Sequence, residues 1–540
     1  MKFWSLKGKK VLIVDDFHEM RSLARTMLTP FSPDTVKVAK DGAEAISLLE
    51  EIKFDVVLCD YNLGPGKDGQ QILEEARHRS LLPYSAVYIM ITAENTSQMV
   101  MGAIDYLPDD YISKPFTKNQ LQARLQKQME KKESLMDISN AINDKDYNKA
   151  ISLCDTQLSS NPKNRMELFK TKADLLIKLG KYEETENLCD KLLEERDIPW
   201  VFMTQGQARF HQEKYEEAED IFESLIRDNP ANAAAHDWLA QTLVKVDAHD
   251  RAQEVMSAAI DISPKSILRQ RKLAEIAYKN EDYVHSEMAF KKAAEIGKHS
   301  CYKKPDDYAQ VAKCMLKRDA TKDALNIVSK MKSEFGEDNP ESIFHASLTE
   351  SLVYQVMGET EKCATATESA MNAFAKISDQ VSADVAMDLA DTCLALGKKD
   401  EADAIVKQLV RNHHDNKDIL NRTRDIYEKA GLAGEGKALI KNTCDEVIKV
   451  NNQGAKLLKE GKLEESIELF IEAAKGMPEN SIINLNAAYS MIMQMQKSGM
   501  VNKYSRRAIK YLDKVHALDS SNKKYFQLME MIQQLSSKAA

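Results

Sequence analysis

The sequence predicts a doubly wound α/β domain at the N-terminus, followed by an all-α array of repeated helix pairs. Up to about residue 125, short apolar runs alternate with segments whose apolar residues have helical spacing. Beyond that point one helical pattern recurs about every 34 residues. Glycine and proline are scarce, at 19 and 13 in 540 residues, which favours helix over most of the chain. A chain of this length also exceeds what one hydrophobic core can hold together.

Five apolar runs predict the strands of the N-terminal domain, at residues 11–14, 36–38, 54–59, 86–91 and 111–112. Between them, residues 20–28 and 43–49 carry apolar residues at helical spacing. Strands that alternate with helices predict a parallel sheet covered on both faces. In such sheets, reactive side chains collect at the carboxyl ends of the strands.

The bulk composition excludes several classes of protein. A net charge of −9 and a pI near 5.8 argue against a general nucleic-acid surface. The eight cysteines form no CxxC pair, which predicts reduced thiols rather than disulfides or a metal centre. The chain has no apolar run long enough for a membrane span or a signal-peptide core, so we expect a cytoplasmic protein with no membrane partner.

The repeated pattern of the second region is centred on the motif Lys-x-Tyr-x-x-Ala. Its aromatic position is filled by Tyr147, Tyr182, Tyr215, His249 and Tyr283. Small residues recur before it at Ala173, Gly206, Ala240 and Ala274, and prolines follow at Pro162, Pro230 and Pro264. The same register returns with Gly454 and Phe470, whereas residues 300–450 match it more loosely, with longer spacings.

This pattern resembles the tetratricopeptide (TPR) repeat, in which each unit is a pair of antiparallel helices. The resemblance implies an all-α superhelical solenoid over residues 128–540. The alternative is a helical domain without repeats.

Polar residues stand at the predicted carboxyl ends of four strands. Asp15 and Asp16 follow the first strand, Asp60 the third, Thr92 the fourth and Lys114 the fifth. A lone Asp-Asp pair is usually a surface turn, but these five side chains should meet at one edge of the sheet. Three carboxylates in one pocket repel each other unless a cation lies among them, and carboxylate oxygens suit Mg²⁺.

Residues 1–127 resemble the receiver domain of two-component response regulators, which has a flavodoxin-like fold with a five-stranded parallel sheet. The resemblance implies that Asp60 is the phosphoacceptor. It implies a Mg²⁺ site formed by Asp15, Asp16, Asp60 and the backbone carbonyl of Asn62. In this comparison the loop at residues 64–67 is one residue longer than the commoner pattern, and its role stays open.

Other roles also come from this resemblance. Lys114 and Thr92 would bind the phosphoryl group, and Tyr111 would be the aromatic residue of the switch. The peptide bond before Pro115 is expected to be cis. Asn62 and Glu94 would set the lifetime of the phosphoryl group.

The connection between the two regions is predicted to be helical. Neither glycine nor proline occurs between Pro115 and Pro162, so no flexible linker is expected. Two arrangements remain open: one continuous helix, or two helices separated by a short bend near residues 131–134.

These features predict a phosphorylation-controlled signalling adaptor. A sensor histidine kinase would phosphorylate Asp60, and the TPR groove would bind a protein or peptide ligand. No enzyme activity is expected beyond the receiver's own phosphorylation and autodephosphorylation. The alternatives are a phosphate sink or a regulator switched by homodimerisation, and, less favoured, an RNA- or DNA-binding output.

Overall fold

The computed structural model describes residues 4–83, 85–93, 108–160, 162–336, 338–499, 501–519 and 522–539. The chain divides into two compact units, Met1–Asp307 and Tyr308–Ala540. The first unit contains the α/β domain together with the first helix pairs. The described elements of the second unit are all helices. The predicted division into folding domains at residues 127/128 stays a prediction.

The predicted five-stranded parallel sheet is confirmed. Its strands are β1 (Lys10–Val14), β2 (Thr35–Ala39), β3 (Val56–Asp60), β4 (Val87–Thr92) and β5 (Asp110–Ser113). They lie in the order β2-β1-β3-β4-β5, and every neighbouring pair is parallel. All residues of β3 and β4 are buried. This burial explains why both strands are continuous apolar runs in the sequence.

Four described helices cover the two faces of this sheet: α1 (His18–Leu28), α2 (Gly42–Glu51), α3 (Gly69–His78) and α4 (Lys118–Ser134). One apolar cluster joins α2 and α3 to one face, and a second joins α1 and α4 to the other. Because side chains alternate along a strand, Val57 and Cys59 of β3 enter the first cluster while Val56 and Leu58 enter the second.

The connection to the repeats consists of two helices, not one. Helix α4 ends at Ser134 and α5 (Met136–Asn143) follows after Leu135, whose φ of −107° and ψ of 8° interrupt the helix. The bent alternative is therefore correct, with the bend just beyond the predicted position. The Leu135 side chain is buried against Ile138 and Tyr147, so the bend belongs to the core of the first repeat.

The predicted repeat register is confirmed in the first unit. Its further helices are α6 (Tyr147–Leu158), α7 (Arg165–Lys178), α8 (Tyr182–Leu193), α9 (Pro199–His211), α10 (Tyr215–Asp228), α11 (Ala233–Lys245), α12 (His249–Ile262), α13 (Ile267–Lys279) and α14 (Tyr283–Gly297). Every residue of the predicted aromatic position begins the second helix of its pair. The small residues permit close crossing: a Cβ on Gly206 would lie 2.6 Å from the Phe222 ring.

The second unit continues the antiparallel helices. They are α15 (Asp306–Lys317, which begins in the first unit), α16 (Thr321–Phe335), α17 (Pro340–Met357), α18 (Thr360–Ile377), α19 (Ala383–Ala395), α20 (Lys399–Asn412), α21 (Lys417–Lys429), α22 (Ala433–Lys459), α23 (Leu463–Gly476), α24 (Ser481–Ser498), α25 (Val501–Leu518) and α26 (Lys523–Ala539). Helices α17 and α18 have 18 residues each, which accounts for the longer spacings. Helix α22 has 27 residues and meets two partners, through Gly436 at Tyr427 and Gly454 at Phe470.

Two of the three glycines of α22, Gly434 and Gly454, differ in their surroundings and give a test of this packing. A Cβ on Gly454 would lie 2.2 Å from the Phe470 ring, whereas a Cβ on Gly434 would have no atom within 4 Å. We expect Gly454→Ala to lower the free energy of unfolding of the second unit by about 1–3 kcal/mol, because overpacking outweighs the gain in helix propensity. Gly434→Ala should leave it unchanged or raise it by up to about 1 kcal/mol. Urea denaturation followed by circular dichroism measures both, and equal effects of the two substitutions would contradict the close crossing.

Candidate functional site

A pocket of acidic side chains lies where β1 and β3 end. Asp15 follows β1 directly and Asp60 is the last residue of β3, and the two strands are adjacent and parallel. Asp15, Asp16 and Asp60 each contribute one carboxylate oxygen, and these oxygens all lie within 4.8 Å of one another. Asp15 and Asp60 are buried, with 3% and 6% of their surface exposed, while Asp16 is exposed.

Lys114 brings a positive charge into this pocket. Its Nζ donates hydrogen bonds to Asp60 Oδ2 at 2.7 Å and to Asp15 Oδ2 at 2.8 Å. The backbone N–H of Lys114 donates to the carbonyl of Thr92, at 2.7 Å, so the end of β4 positions the lysine. The Lys114–Pro115 peptide bond is cis.

The electrostatics of the pocket favour a further cation. Burial raises the pKa of Asp60 above its usual value, although the hydrogen bond and charge of Lys114 partly oppose this effect. Burial alone would lower the pKa of Lys114, but its hydrogen bonds to Asp15 and Asp60 raise it above the usual value. With all groups ionised, one ammonium faces three carboxylates, so negative charge remains uncompensated.

The turn after β1 holds the two aspartates in place. Asp15 Oδ1 accepts a hydrogen bond from the backbone N–H of Phe17 at 2.9 Å. Arg21 Nη1 donates to the carbonyl oxygens of Asp15 and Asp16, at 2.6 and 3.0 Å. Arg21 thus engages backbone oxygens, whereas the Phe17 N–H binds one carboxylate oxygen of Asp15 and leaves the other, Oδ2, facing Lys114 in the pocket. Such a set of hard oxygen donors, one of them exposed to solvent, fits Mg²⁺ with part of its water shell retained.

Comparison with known proteins identifies this arrangement. Residues 11–126 match the family described as the response regulator receiver domain, and residues 209–276 match the tetratricopeptide repeat. The chemotaxis protein CheY-3 of Vibrio cholerae is 35% identical over 125 residues, which is 23% of this chain and 95% of that protein. The chain belongs to the response-regulator family. The chemotaxis protein CheY of Pseudomonas aeruginosa is 32% identical over 122 residues, covering 23% of this chain and 97% of that protein.

Solved structures resemble each region of this response regulator separately. A CheY-like receiver domain from Methanospirillum hungatei covers 23% of this chain and 97% of its own, with 23% identity and a TM-score of 0.21. The C-terminal part of a TPR-containing protein from Cytophaga hutchinsonii covers 47% of this chain and 98% of its own, with 15% identity and a TM-score of 0.34.

The other predicted receiver residues that the structure describes differ in how far they are buried. Thr92 is the last residue of β4 and is buried. Tyr111, in β5, is half-buried, and burial raises its pKa to about 12. Asn62 is exposed just beyond Asp60. Glu94 lies outside the described residues. The structure thus places Asp15, Asp16, Asp60 and Lys114 together in one pocket. Thr92 and Tyr111 lie on the strands β4 and β5.

The sequence reasoning missed the role of Gly69. A Cβ at this first residue of α3 would lie 2.3 Å from the carbonyl oxygen of Asp60, so only glycine allows α3 to begin there. Its backbone N–H donates to the carbonyl of Tyr61 at 2.9 Å. An Asp-Gly pair such as residues 68 and 69 is compatible with a helix start, but nothing in the sequence indicates the contact of Gly69 with Asp60. Helix α3 therefore begins in direct contact with Asp60.

The loop at residues 64–67 of this response regulator contacts two helices. Gly64 and Gly66 have φ values of +72° and +111°, which allow the loop to fold back. Lys67 lies over Gly42, where a Cβ would be 2.5 Å from the Lys67 Cβ, and Lys67 Nζ pairs with Glu75 at 2.8 Å. Lys67 thus ties the loop to the start of α2 and to the middle of α3.

The raised pKa of Asp60 predicts that its charge lowers stability. We expect Asp60→Asn to raise the thermal midpoint of the first unit at neutral pH, because an amide avoids the cost of a buried, repelled charge and still accepts a hydrogen bond from Lys114. The folded-state pKa lies above the usual value of 3.8, so wild type loses stability as the pH rises from that value through the folded-state pKa. The advantage of the variant should therefore shrink as the pH falls toward 3.8.

Differential scanning calorimetry at a series of pH values, without divalent ions, measures this difference. Asp55→Asn is the matched control, since Asp55 lies at the opposite end of β3 and accepts a hydrogen bond from the backbone N–H of Lys10 at 2.9 Å. A destabilised Asp60→Asn protein at neutral pH would contradict the electrostatic account of the pocket.

Proposed function

We propose that this response regulator is a cytoplasmic signalling adaptor in which the phosphorylation of Asp60 controls protein binding by the TPR array. The observation that carries the proposal is the buried Asp60 carboxylate at 2.7 Å from Lys114, beside Asp15. The receiver family provides phosphorylation-dependent signalling, and TPR repeats provide protein interaction. A sensor histidine kinase is the proposed phosphodonor.

The chemistry needs one nucleophile and a positively charged cradle. A carboxylate oxygen of Asp60 forms a bond to phosphorus as the bond between phosphorus and the donor imidazole nitrogen breaks, and that nitrogen keeps the electron pair. Lys114 then pairs with the phosphoryl oxygens, and the Thr92 hydroxyl donates to one of them. Mg²⁺, held by Asp15, Asp16, Asp60 and the Asn62 carbonyl, would supply further positive charge to the same oxygens.

The proposed output is binding, not catalysis. The proposal includes no enzyme activity beyond self-phosphorylation and autodephosphorylation, whose rate Asn62 and Glu94 would set. The ligand of the array would be a protein or peptide, because stacked helix pairs present extended surfaces to such partners. None of the described helices is both long and apolar enough to cross a membrane, and no membrane or nucleic-acid partner is proposed.

Phosphorylation at Asp60 is tested with acetyl phosphate and Mg²⁺ as a small-molecule donor. We expect intact-mass spectrometry to show one phosphoryl group on wild type and on Asp55→Asn, and none on Asp60→Asn. Removal of Mg²⁺ with EDTA should abolish the modification, because the negative pocket would then repel the incoming phosphate. Modification of the Asp60→Asn protein to the wild-type level would overturn the assignment.

Control of binding is tested by affinity capture from a native lysate. Wild type with beryllofluoride and Mg²⁺, a mimic of the phosphorylated state, is compared with Asp60→Asn under the same conditions. We expect at least one protein to be captured in amounts that differ between the two. Identical sets of captured proteins would contradict the adaptor function.

A phosphate sink or a homodimerisation switch is the second candidate, retained from the sequence. Sedimentation velocity with and without beryllofluoride measures the oligomeric state and so distinguishes a dimerisation switch from the adaptor function. A monomer-to-dimer change in wild type, absent in Asp60→Asn and accompanied by no difference in capture, would favour the dimerisation switch.

A further inference from the structure

The first unit contains direct contacts between the receiver and a distant helix pair of the TPR array. We define the β3–α3 corner as Tyr61 together with Gln71, Glu74 and His78 of α3, and the docking segment as residues 264–303, which contain α13 and α14. Lys265 Nζ lies 5.3 Å from the centroid of the Tyr61 ring and 3.5 Å from its hydroxyl oxygen. A lysine of the array therefore lies on the residue that follows the phosphoacceptor.

Two further contacts lie along α3. Gln71 Nε2 donates to the carbonyl oxygen of Ile296 at 3.3 Å, near the end of α14. The rings of His78 and Tyr302 are 5.6 Å apart between centroids. Gln71, Glu74 and His78 occupy one face of α3, since helical residues three and four positions apart are neighbours. The docking segment thus covers about two turns of α3 as well as Tyr61.

The receiver side of this contact is coupled to the backbone of Asp60. The N–H of Tyr61 donates to the carbonyl of Ile91 at 2.8 Å, and the carbonyl of Tyr61 accepts from Gly69 N–H at 2.9 Å. Gly69 itself abuts the Asp60 carbonyl. Tyr88 donates its hydroxyl to the carbonyl of Gly69 at 2.9 Å. The start of α3 consequently cannot shift without moving the backbone around Asp60.

Gln71 links this helix start to the array. Its Oε1 accepts from the N–H of Asp68 at 3.1 Å, while its own N–H donates to Asp68 Oδ1 at 2.8 Å, which completes the capping box of α3. The same side-chain amide donates to Ile296. One residue therefore both caps the helix that touches Asp60 and binds the docking segment.

The array side is equally fixed. Arg271 binds Asp307 through two hydrogen bonds of 2.7 Å, with both side chains buried, and also donates to the carbonyl of Tyr302. Gln270 Nε2 donates to the carbonyl of Pro264 at 3.2 Å, beside Lys265. These bonds hold in place the two loops that present Lys265 and Tyr302, so the docking surface does not depend on flexible side chains alone.

We propose that the β3–α3 corner is an internal docking surface for the docking segment, and that phosphorylation of Asp60 changes the strength of this contact. The inference rests on the proposed role of Asp60 as phosphoacceptor. A phosphoryl group adds about two negative charges beside Tyr61 and alters the loop between Asp60 and α3. Thermodynamic linkage makes this effect reciprocal. If phosphorylation weakens the contact, the contact lowers the affinity for a phosphoryl group by the same factor, and if phosphorylation strengthens the contact, the contact raises that affinity.

The reciprocal effect is measured with full-length protein and beryllofluoride in saturating Mg²⁺, by isothermal titration calorimetry. Lys265→Met weakens the contact from the array side and His78→Ala from the receiver side. We expect both to change the dissociation constant in the same direction, each by about fivefold, the lower end of ordinary coupling between sites. Lys272→Met is the matched control: it lies in α13, its side chain is 41% exposed, and it pairs with Glu275 of its own helix at 3.6 Å.

Hydrogen exchange of α3 gives an independent readout of the contact itself. Its amides should exchange faster in the Lys265→Met, Tyr302→Ala double variant than in wild type or Lys272→Met, without beryllofluoride. Unchanged exchange, equal beryllofluoride affinities in all proteins, or opposite shifts in the two single variants would overturn the docking proposal while the function of Asp60 stands. Failure of wild type to bind beryllofluoride would contradict the proposed function itself, and this inference with it.

Discussion

The ion pairs of Lys114 with Asp15 and Asp60 are the interaction on which the receiver's architecture depends. Buried carboxylates close together are costly unless a cation and hydrogen bonds offset their repulsion. The strand order brings the two acids together, because β1 and β3 are neighbours at the point where the chain changes direction across the sheet, and Lys114 supplies the compensating cation. Lys114 enters from the end of β5 through the cis bond to Pro115, and the N–H bond to Thr92 fixes its backbone.

The need to place Asp60 accurately extends into the helices. Gly69 packs on the Asp60 carbonyl, so the position of α3 and the position of the acid depend on each other. Lys67, above Gly42, ties the intervening loop to α2. A conventional β-strand followed by a free loop would leave the acid adjustable. Here Gly69 abuts the Asp60 carbonyl, and the Tyr61 backbone is bonded to Ile91 and to Gly69, so a displacement at Asp60 must also displace the start of α3.

Local patterns predicted much of the fold, and long-range contacts were beyond them. The aromatic positions from Tyr147 to Tyr283 mark helix starts because the packing within each repeat is set by residues close in sequence. The contact of Lys265 with Tyr61 joins residues 204 positions apart, and both residue types are ordinary at protein surfaces. The pocket acids were predictable because parallel strands bring their ends together. The contact of Gly69 with Asp60 could not be predicted from the sequence, since a glycine at the start of a helix can have many structural causes.

The receiver is held by the array from both faces of its sheet. On one face, α4 is bound to β5 by Arg124 and Gln128, which donate to the Asp110 carboxylate at 2.7 and 3.0 Å, and it reaches the first repeats through the pair of Lys131 with Glu167 at 3.0 Å. On the other face, α3 meets the docking segment. The packed helices between these two attachments resist deformation. A shift of α3 relative to α4 must therefore strain one of the two attachments. The array therefore contacts the receiver at two helices, α4 through Lys131 and α3 through the docking segment, and the proposed coupling to Asp60 would act through the second of these contacts.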